Sequence, residues 1–179
     1  MKFYKWIAIL INIAVFILLF LNSDRLIEWI KETNDGNLLV VLLVITLLAS
    51  IPGIPFGVIS GIMGAKYGIV LAIAMSVIAS TMSSVLIYIM FRYLLLKQGE
   101  IMLNKYQSLA RIDRSIKKHT FGTIFIARIV PIMPAIIINI YSGVFGLSFK
   151  LFLLATILGK IPIMAFYTFI GDNIISRFS

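Results

Sequence analysis

Cysteine is absent from the 179 residues, and histidine occurs once, at His119. Without cysteine there is no disulfide, no thiol nucleophile and no thiolate metal site. A lone histidine cannot build a His-Glu-x-x-His pair or a multi-histidine cluster within one chain. Acid is scarce too: seven Asp and Glu stand against 16 Lys and Arg, and charged residues make up only 13% of the chain. No carboxylate falls inside an apolar run, Asp172 only touching the end of the last one. Paired-carboxylate catalysis, and proton transfer by an intramembrane acid, therefore lack their residues. Gly57 to Gly61 reads Gly-Val-Ile-Ser-Gly, which is not a nucleophile elbow, and no phosphate-binding P-loop occurs. These absences point away from an enzyme and away from any metal or cofactor.

Apolar residues are what the chain has in excess, at 61% of the total with a mean hydropathy of +1.07. A soluble domain has about a quarter of its residues charged and about half apolar, so the solvent expected here is the lipid bilayer. The net charge of +9 would suggest nucleic acid in a soluble protein. In a membrane protein the same excess records topology and attraction to anionic lipid.

The expected class is an all-α integral membrane protein, multi-pass, of the plasma membrane. Residues 1–22 read as a retained N-terminal transmembrane helix, because the apolar run is long for a signal peptide and Asn22-Ser23-Asp24 is a poor cleavage site. Residues 23–37 mix charges with Leu26, Ile27, Trp29 and Ile30, as a short interfacial helix would. The membrane domain spans 38–171, followed by a tail over 172–179. Its first segment, 38–66, is uncharged up to Ala65 but interrupted by Pro52, Gly53, Pro55 and Gly57. Prolines in mid-helix free backbone groups that lipid cannot satisfy, so two half-helices in a re-entrant hairpin fit better than one kinked span. A spanning helix over 67–92 follows, with Ala72, Ser76, Ser80 and Ser84 recurring every four residues as a face for close helix packing. Residues 93–120 carry six of the 16 Lys and Arg, and Met102, Tyr106, Leu109, Ile112 and Ile116 at helical spacing predict one amphipathic surface helix. Tyr106 is the only aromatic residue from 94 to 120, which favours anionic lipid over nucleic acid as partner. A second hairpin over 121–147, broken at Pro131 and Pro134, and a helix over 149–171 complete the domain.

Pro52, Pro55 and Gly64 recur as Pro131, Pro134 and Gly143 at a constant offset of 79 residues, which also sets Ser80 against Gly159. With the N-terminus inside, ten Lys and Arg lie on the cytoplasmic side and four outside, Arg128 and Lys160 being left within the spans. The two hairpins then enter from opposite sides, giving an inverted repeat of hairpin plus transmembrane helix, as in many transporters. Gly61, Gly64, Gly143 and Gly159 are the expected helix-packing glycines.

Arg128 and Lys160 are the two cations at depth. Either costs at least about 2.5–3.5 kcal/mol at a helix centre unless it faces a polar cavity. Snorkelling is the plainer reading, easier for Arg128, near a hairpin start, than for Lys160. Asn139 adds a polar group that either caps proline-freed backbone or joins the site. A guanidinium fork, an ammonium and half-helix N-termini suit a phosphate, and apolar walls suit its hydrocarbon tail.

Arg128-Ile-Val-Pro131-Ile-Met-Pro134 with Asn139-Ile-Tyr-Ser-Gly143, together with Phe56-Gly-Val-Ile-Ser-Gly61-Ile-Met-Gly64, resembles the DedA/VTT-domain superfamily, also called SNARE-associated Golgi proteins. The resemblance covers roughly Leu38 to Gly171. It is strongest to the branch whose second hairpin carries Arg-x-x-Pro-x-x-Pro followed by Asn-x-x-x-Gly. It implies two opposed re-entrant hairpins, Arg128 as the hairpin arginine, and a role like that of relatives that scramble lipids or move the undecaprenyl phosphate carrier. DedA proper has acids around the first hairpin and a second arginine where this chain has Pro134, so the resemblance does not extend to proton coupling. The first expectation is a transporter or scramblase of a phosphate-headed lipid, with Arg128, Lys160 and Asn139 as the substrate site. The alternative is a non-transporting membrane scaffold or assembly factor, and a homo-oligomer is compatible with either.

Overall fold

Backbone N–H and C=O groups in hydrocarbon have no water to bond, which leaves helices as the economical way to satisfy them. The computed structural model describes residues 37–51, 56–130 and 133–178, and before them the single positions 17, 21, 25, 28, 29 and 32. Seven helices and no strand occur among the described residues. They are α1 (Leu38–Ala49), α2 (Phe56–Tyr67), α3 (Ile69–Lys105), α4 (Gln107–Lys118), α5 (Thr120–Ile129), α6 (Ala135–Val144) and α7 (Phe149–Phe178). The expected first helix, the expected interfacial helix apart from those single positions and Asn37, and the breakers Pro52, Gly53, Pro55 and Pro131 lie outside the described residues.

Two short helices replace one long one at each proline-bearing segment, and a long helix follows each pair. Phe56 and Ala135, which open α2 and α6, stand 79 positions apart, the offset of the proline pattern. The turn after each is made by a glycine with positive φ, Gly68 at +80° and Gly146 at +66°, a conformation an L side chain resists. At the second, Leu147 N–H bonds the Ser142 carbonyl at 3.0 Å and Gly146 N–H bonds Gly143 at 3.3 Å, the paired pattern that closes a helix C-terminus. Among the described residues, α3 and Phe149–Ile170 of α7 are the helices long and apolar enough to cross a bilayer.

The chain divides into two compact units, residues 1–80 with 164–179, and residues 81–163. In the first, Val41, Ile45 and Leu48 of α1, Ile59, Ile62 and Met63 of α2, and Ala72, Met75 and Ala79 of α3 form one buried cluster. A neutral hydroxyl chain crosses it: Ser60 bonds Ser76 at 3.0 Å and Thr168 at 2.7 Å. Gly61 and Gly64 are buried on α2 in the same unit. In the second unit Tyr88, Ile124, Ile138, Leu147, Phe152 and Ala155 form the core. The Tyr88 hydroxyl donates to the Leu147 carbonyl at 2.6 Å and accepts from Arg92, while its ring stacks on Phe152 at 4.7 Å.

One boundary differs from the sequence reading. Arg92 does not begin a surface segment; α3 continues to Lys105. Arg92 satisfies its guanidinium on Tyr88 and on the Leu147 carbonyl, at 3.1 Å for the latter, so its charge is no reason for the helix to stop. Gly99 does not stop it either, since a Cβ there would run into the Val144 carbonyl. The helix instead breaks at Tyr106, an extended residue with φ −119° and ψ 101°. The basic surface helix is therefore α4 alone. Met102 belongs to α3 and Tyr106 to the break, so the five apolar positions do not lie on one helix; on α4, Ile112 is exposed and Ile116 packs partly on the core.

Gly143 is one of two glycines at which α6 and α3 meet closely, a Cβ there falling 2.5 Å from the Tyr88 carbonyl and 3.0 Å from the Arg92 nitrogen. Gly122 on α5 has nothing within 4 Å of the same position. Gly143→Val is expected to destabilise by about 1–3 kcal/mol through overpacking. Gly122→Ala is expected to stabilise by up to about 1 kcal/mol through helix propensity. Thermal unfolding of the purified protein in detergent separates the two.

Candidate functional site

Four helices of the second unit converge on a charged centre. Arg128 lies in the last turn of α5, where a cation complements the exposed carbonyls of the helix end. The chain then breaks through Val130 and restarts at Pro134, whose fixed φ of −53° sets it up as the residue before α6. One turn into α6 stands Asn139. On α7, Phe152, Thr156, Gly159 and Lys160 follow at intervals that keep them on neighbouring rows of the helix. Pro162 lies inside α7 and removes a backbone donor just beyond Lys160.

Arg128 is 5% exposed, Asn139 3% and Lys160 6%. The Arg128 Nη2 donates to Asn139 Oδ1 at 2.6 Å and to Thr156 Oγ1 at 3.3 Å, and Nη1 donates to the Ala135 carbonyl at 3.4 Å. The guanidinium carbon lies 5.9 Å from the centre of the Phe152 ring, within cation–π range. Arg128 Nε is buried with no hydrogen-bond partner among the described residues. No carboxylate meets this guanidinium among the described residues. Lys160 Nζ donates to Ser84 Oγ at 2.8 Å and lies within electrostatic reach of Arg128. Two buried cations thus sit in one unit, held by an amide, hydroxyls and a carbonyl.

Gly159 makes room for this arrangement. A Cβ there would lie 2.6 Å from Arg128 Cβ and 3.2 Å from Phe125 O, so α7 reaches the stem of the arginine only because the residue is glycine. Of the residues singled out in the sequence, the fold brings Arg128, Lys160, Asn139 and Gly159 to one place, with Pro134 at the start of the helix that delivers Asn139. Gly143 serves the packing of α6 on α3, away from the guanidinium. Gly61 and Gly64 belong to the first unit. Ser84 and Thr156 were missed as site residues. Ser84 belonged to a small-residue ladder whose four members are all buried, and nothing in its local sequence singles it out as the partner of a lysine 76 positions away. Thr156 carried one usable signal, standing one helical turn before Lys160.

With the geometry in place, comparison with known proteins gives its family. The VTT domain matches residues 54–173, which include every residue of the charged centre. The chain belongs to the VTT domain family. Its relatives include the uncharacterized protein YqeD of Bacillus subtilis, 25% identical over 173 residues, covering 97% of this chain and 83% of that protein. The uncharacterized membrane protein YhjE of the same organism is 22% identical over 155 residues, covering 87% of this chain and 75% of its own length. No solved structure matches the chain. Membership of the VTT family, a relative named as a membrane protein and the two long apolar helices place the chain in a membrane.

The centre predicts an opposition between stability and use. Lys160→Met replaces a buried charge by an apolar chain of similar length and is expected to leave stability equal or raise it by about 1–4 kcal/mol. Asn139→Leu removes an acceptor from a buried guanidinium and is expected to lower stability by about 1.5–3 kcal/mol. Thermal unfolding of both variants in one detergent checks the signs.

Proposed function

We propose that the chain moves a phosphate-headed lipid, a phospholipid or a polyprenyl phosphate, between the leaflets of the cell membrane as a multi-pass transporter or scramblase. One observation carries this reading: a guanidinium buried among apolar helices with a second cation beside it and, among the described residues, one N–H unpartnered and no carboxylate against it. A buried cation costs least where an anion completes it. Arg128 offers its unpartnered Nε–H to a phosphate oxygen, and Lys160 adds a point charge. Asn139 and Thr156 hold the guanidinium so that little rotamer freedom is lost on binding. Exposed apolar side chains flank the arginine, with Ile129, Val130, Met133 and Ile137 all outward, a surface suited to an acyl or isoprenoid tail. No general acid and base stand at the centre, so the reading is transport without covalent chemistry, and it needs no cofactor. The link of the VTT family with membrane transport agrees with it.

The same reading takes each proline-broken helix pair as a re-entrant hairpin and the two repeats as inverted, following the branch motif Arg128-x-x-Pro131-x-x-Pro134 with Asn139 and Gly143. Anion release then needs the centre to become wet from either side in turn, the alternating access that inverted repeats perform.

Reconstituted in vesicles with fluorescent lipid, the protein is expected to expose inner-leaflet probe to external dithionite. Arg128→Gln and Lys160→Gln are each expected to reduce that rate at least about tenfold, the loss of one charge-assisted contact of more than about 1.4 kcal/mol. Arg128→Lys should rescue little, because an ammonium lacks the fork. Flux equal to empty vesicles in the wild-type protein would favour the scaffold instead. The absence of cysteine makes topology directly testable: Lys66→Cys and Lys118→Cys are expected to react with impermeant maleimide from opposite sides. Labelling from one side would remove the inverted repeat.

A further inference from the structure

Helix α4 is basic over its exposed surface, yet its centre carries a buried acid. Arg111, Arg114 and Lys118 are exposed, whereas Asp113 between them is 4% exposed. Asp113 Oδ1 accepts the Tyr141 hydroxyl at 3.0 Å, and Oδ2 pairs with Lys117 Nζ at 2.8 Å. Tyr141 belongs to α6, two residues beyond Asn139, and its ring lies 4.6 Å from that of Phe145. Ile116, on the same side of α4 as Asp113, packs partly on the core of the unit. The helix thus has an inner face fixed by one carboxylate and one isoleucine, and an outer face of cations.

Burying a carboxylate at a surface helix is costly unless its partners hold it in place, and here one partner is the helix that supports the arginine. Ile112, one turn before Ile116, is 56% exposed at the edge of that inner face. A row of exposed cations on one side of a helix whose edge also exposes an apolar side chain is the pattern of a helix lying in a lipid headgroup layer. Lys105 continues that pattern at the α3 end, its Nζ 5.4 Å from the Tyr106 ring centre, with both residues exposed.

We propose that the outer face of α4 docks on an anionic lipid leaflet, and that Asp113, through Tyr141, pins the docked helix to α6 and so couples headgroup charge to the position of Asn139. The docking stands independently; only its consequence for the Arg128 centre rests on the transport reading. Asp113 and Tyr141 are positioning residues, since neither touches the guanidinium.

The full chain, placed in neutral phosphatidylcholine vesicles or in vesicles enriched in phosphatidylglycerol, gives the test. Ser115→Cys, an exposed near-isosteric change on α4, is expected to react several-fold more slowly with water-soluble maleimide in the anionic vesicles, and to recover at high salt as the surface field is screened. Equal labelling in both vesicles overturns the docking. A bimane attached at Ile137→Cys, an exposed position of α6, reports the pin without requiring any transport. Its emission is expected to shift between the two lipids in the otherwise wild-type chain, and to stop shifting in Asp113→Asn and in Tyr141→Phe, which keep the size of each side chain. A shift that survives both substitutions, or that is absent from the parent, overturns the coupling. Failure of dithionite-detected flux alone counts against the transport reading and leaves both of these results to decide the inference.

Discussion

Burying the Arg128 guanidinium with no carboxylate against it among the described residues is the constraint around which the second unit is arranged. Each neighbouring feature answers part of its cost. The break between α5 and α6 brings the Ala135 carbonyl to Nη1, and α6 brings the Asn139 amide oxygen to Nη2. Thr156 adds a hydroxyl and Phe152 a ring face. Gly159 gives the stem of the arginine space that any larger residue would fill. These groups are neutral, so they orient the charge without cancelling it, and the centre retains its attraction for an anion.

The two units solve the same packing problem with different polar chemistry. Both pack a pair of short helices against long ones, and both place a positive-φ glycine after the second short helix. In the first unit the polar interior is a set of hydroxyls, Ser60 with Ser76 and Thr168, which satisfy one another and carry no charge. Ser60 stands 79 positions before Asn139, so the position that holds a hydroxyl in one unit holds the acceptor for a guanidinium in the other. Hydroxyls between apolar helices contribute association energy of about 1 kcal/mol each, which suffices for packing. Charge is concentrated in the unit where Arg128 and Lys160 meet. Two helix pairs that open at the same 79-residue offset thus enclose different polar groups, hydroxyls in one and cations in the other.

Glycine and serine matter here because of where α-helices press together, and this is only partly visible from spacing. The ladder Ala72, Ser76, Ser80 and Ser84 reads as a packing face, and all four are buried. Gly99, by contrast, stands among polar residues with no periodic companion, yet it faces the Val144 carbonyl so closely that no side chain fits. The reach of α3 to Lys105 is a related case. Local charge predicts an end at Arg92, but the arginine finds the Tyr88 hydroxyl and a carbonyl released at the end of α6, and the helix proceeds.

Composition alone pointed to the bilayer as solvent and fixed the lack of cysteine and of a second histidine. Periodicity and proline placement determined the pairs of short helices and the 79-residue recurrence, because backbone hydrogen bonding in hydrocarbon leaves few alternatives to a helix or a break. Arg128, Lys160 and Asn139 were conspicuous for the same reason: polar groups in long apolar runs are expensive. Tertiary structure decided which groups share their cost. That Lys160 bonds Ser84, that Arg128 leans on Thr156 under Gly159, and that Asp113 turns inward to Tyr141 all depend on helix rotation and on contacts spanning 28 to 76 positions. Local sequence sets which residues lie on one face of a helix, but the partner of that face is chosen by packing, where a single glycine or a displaced break changes which side chains meet.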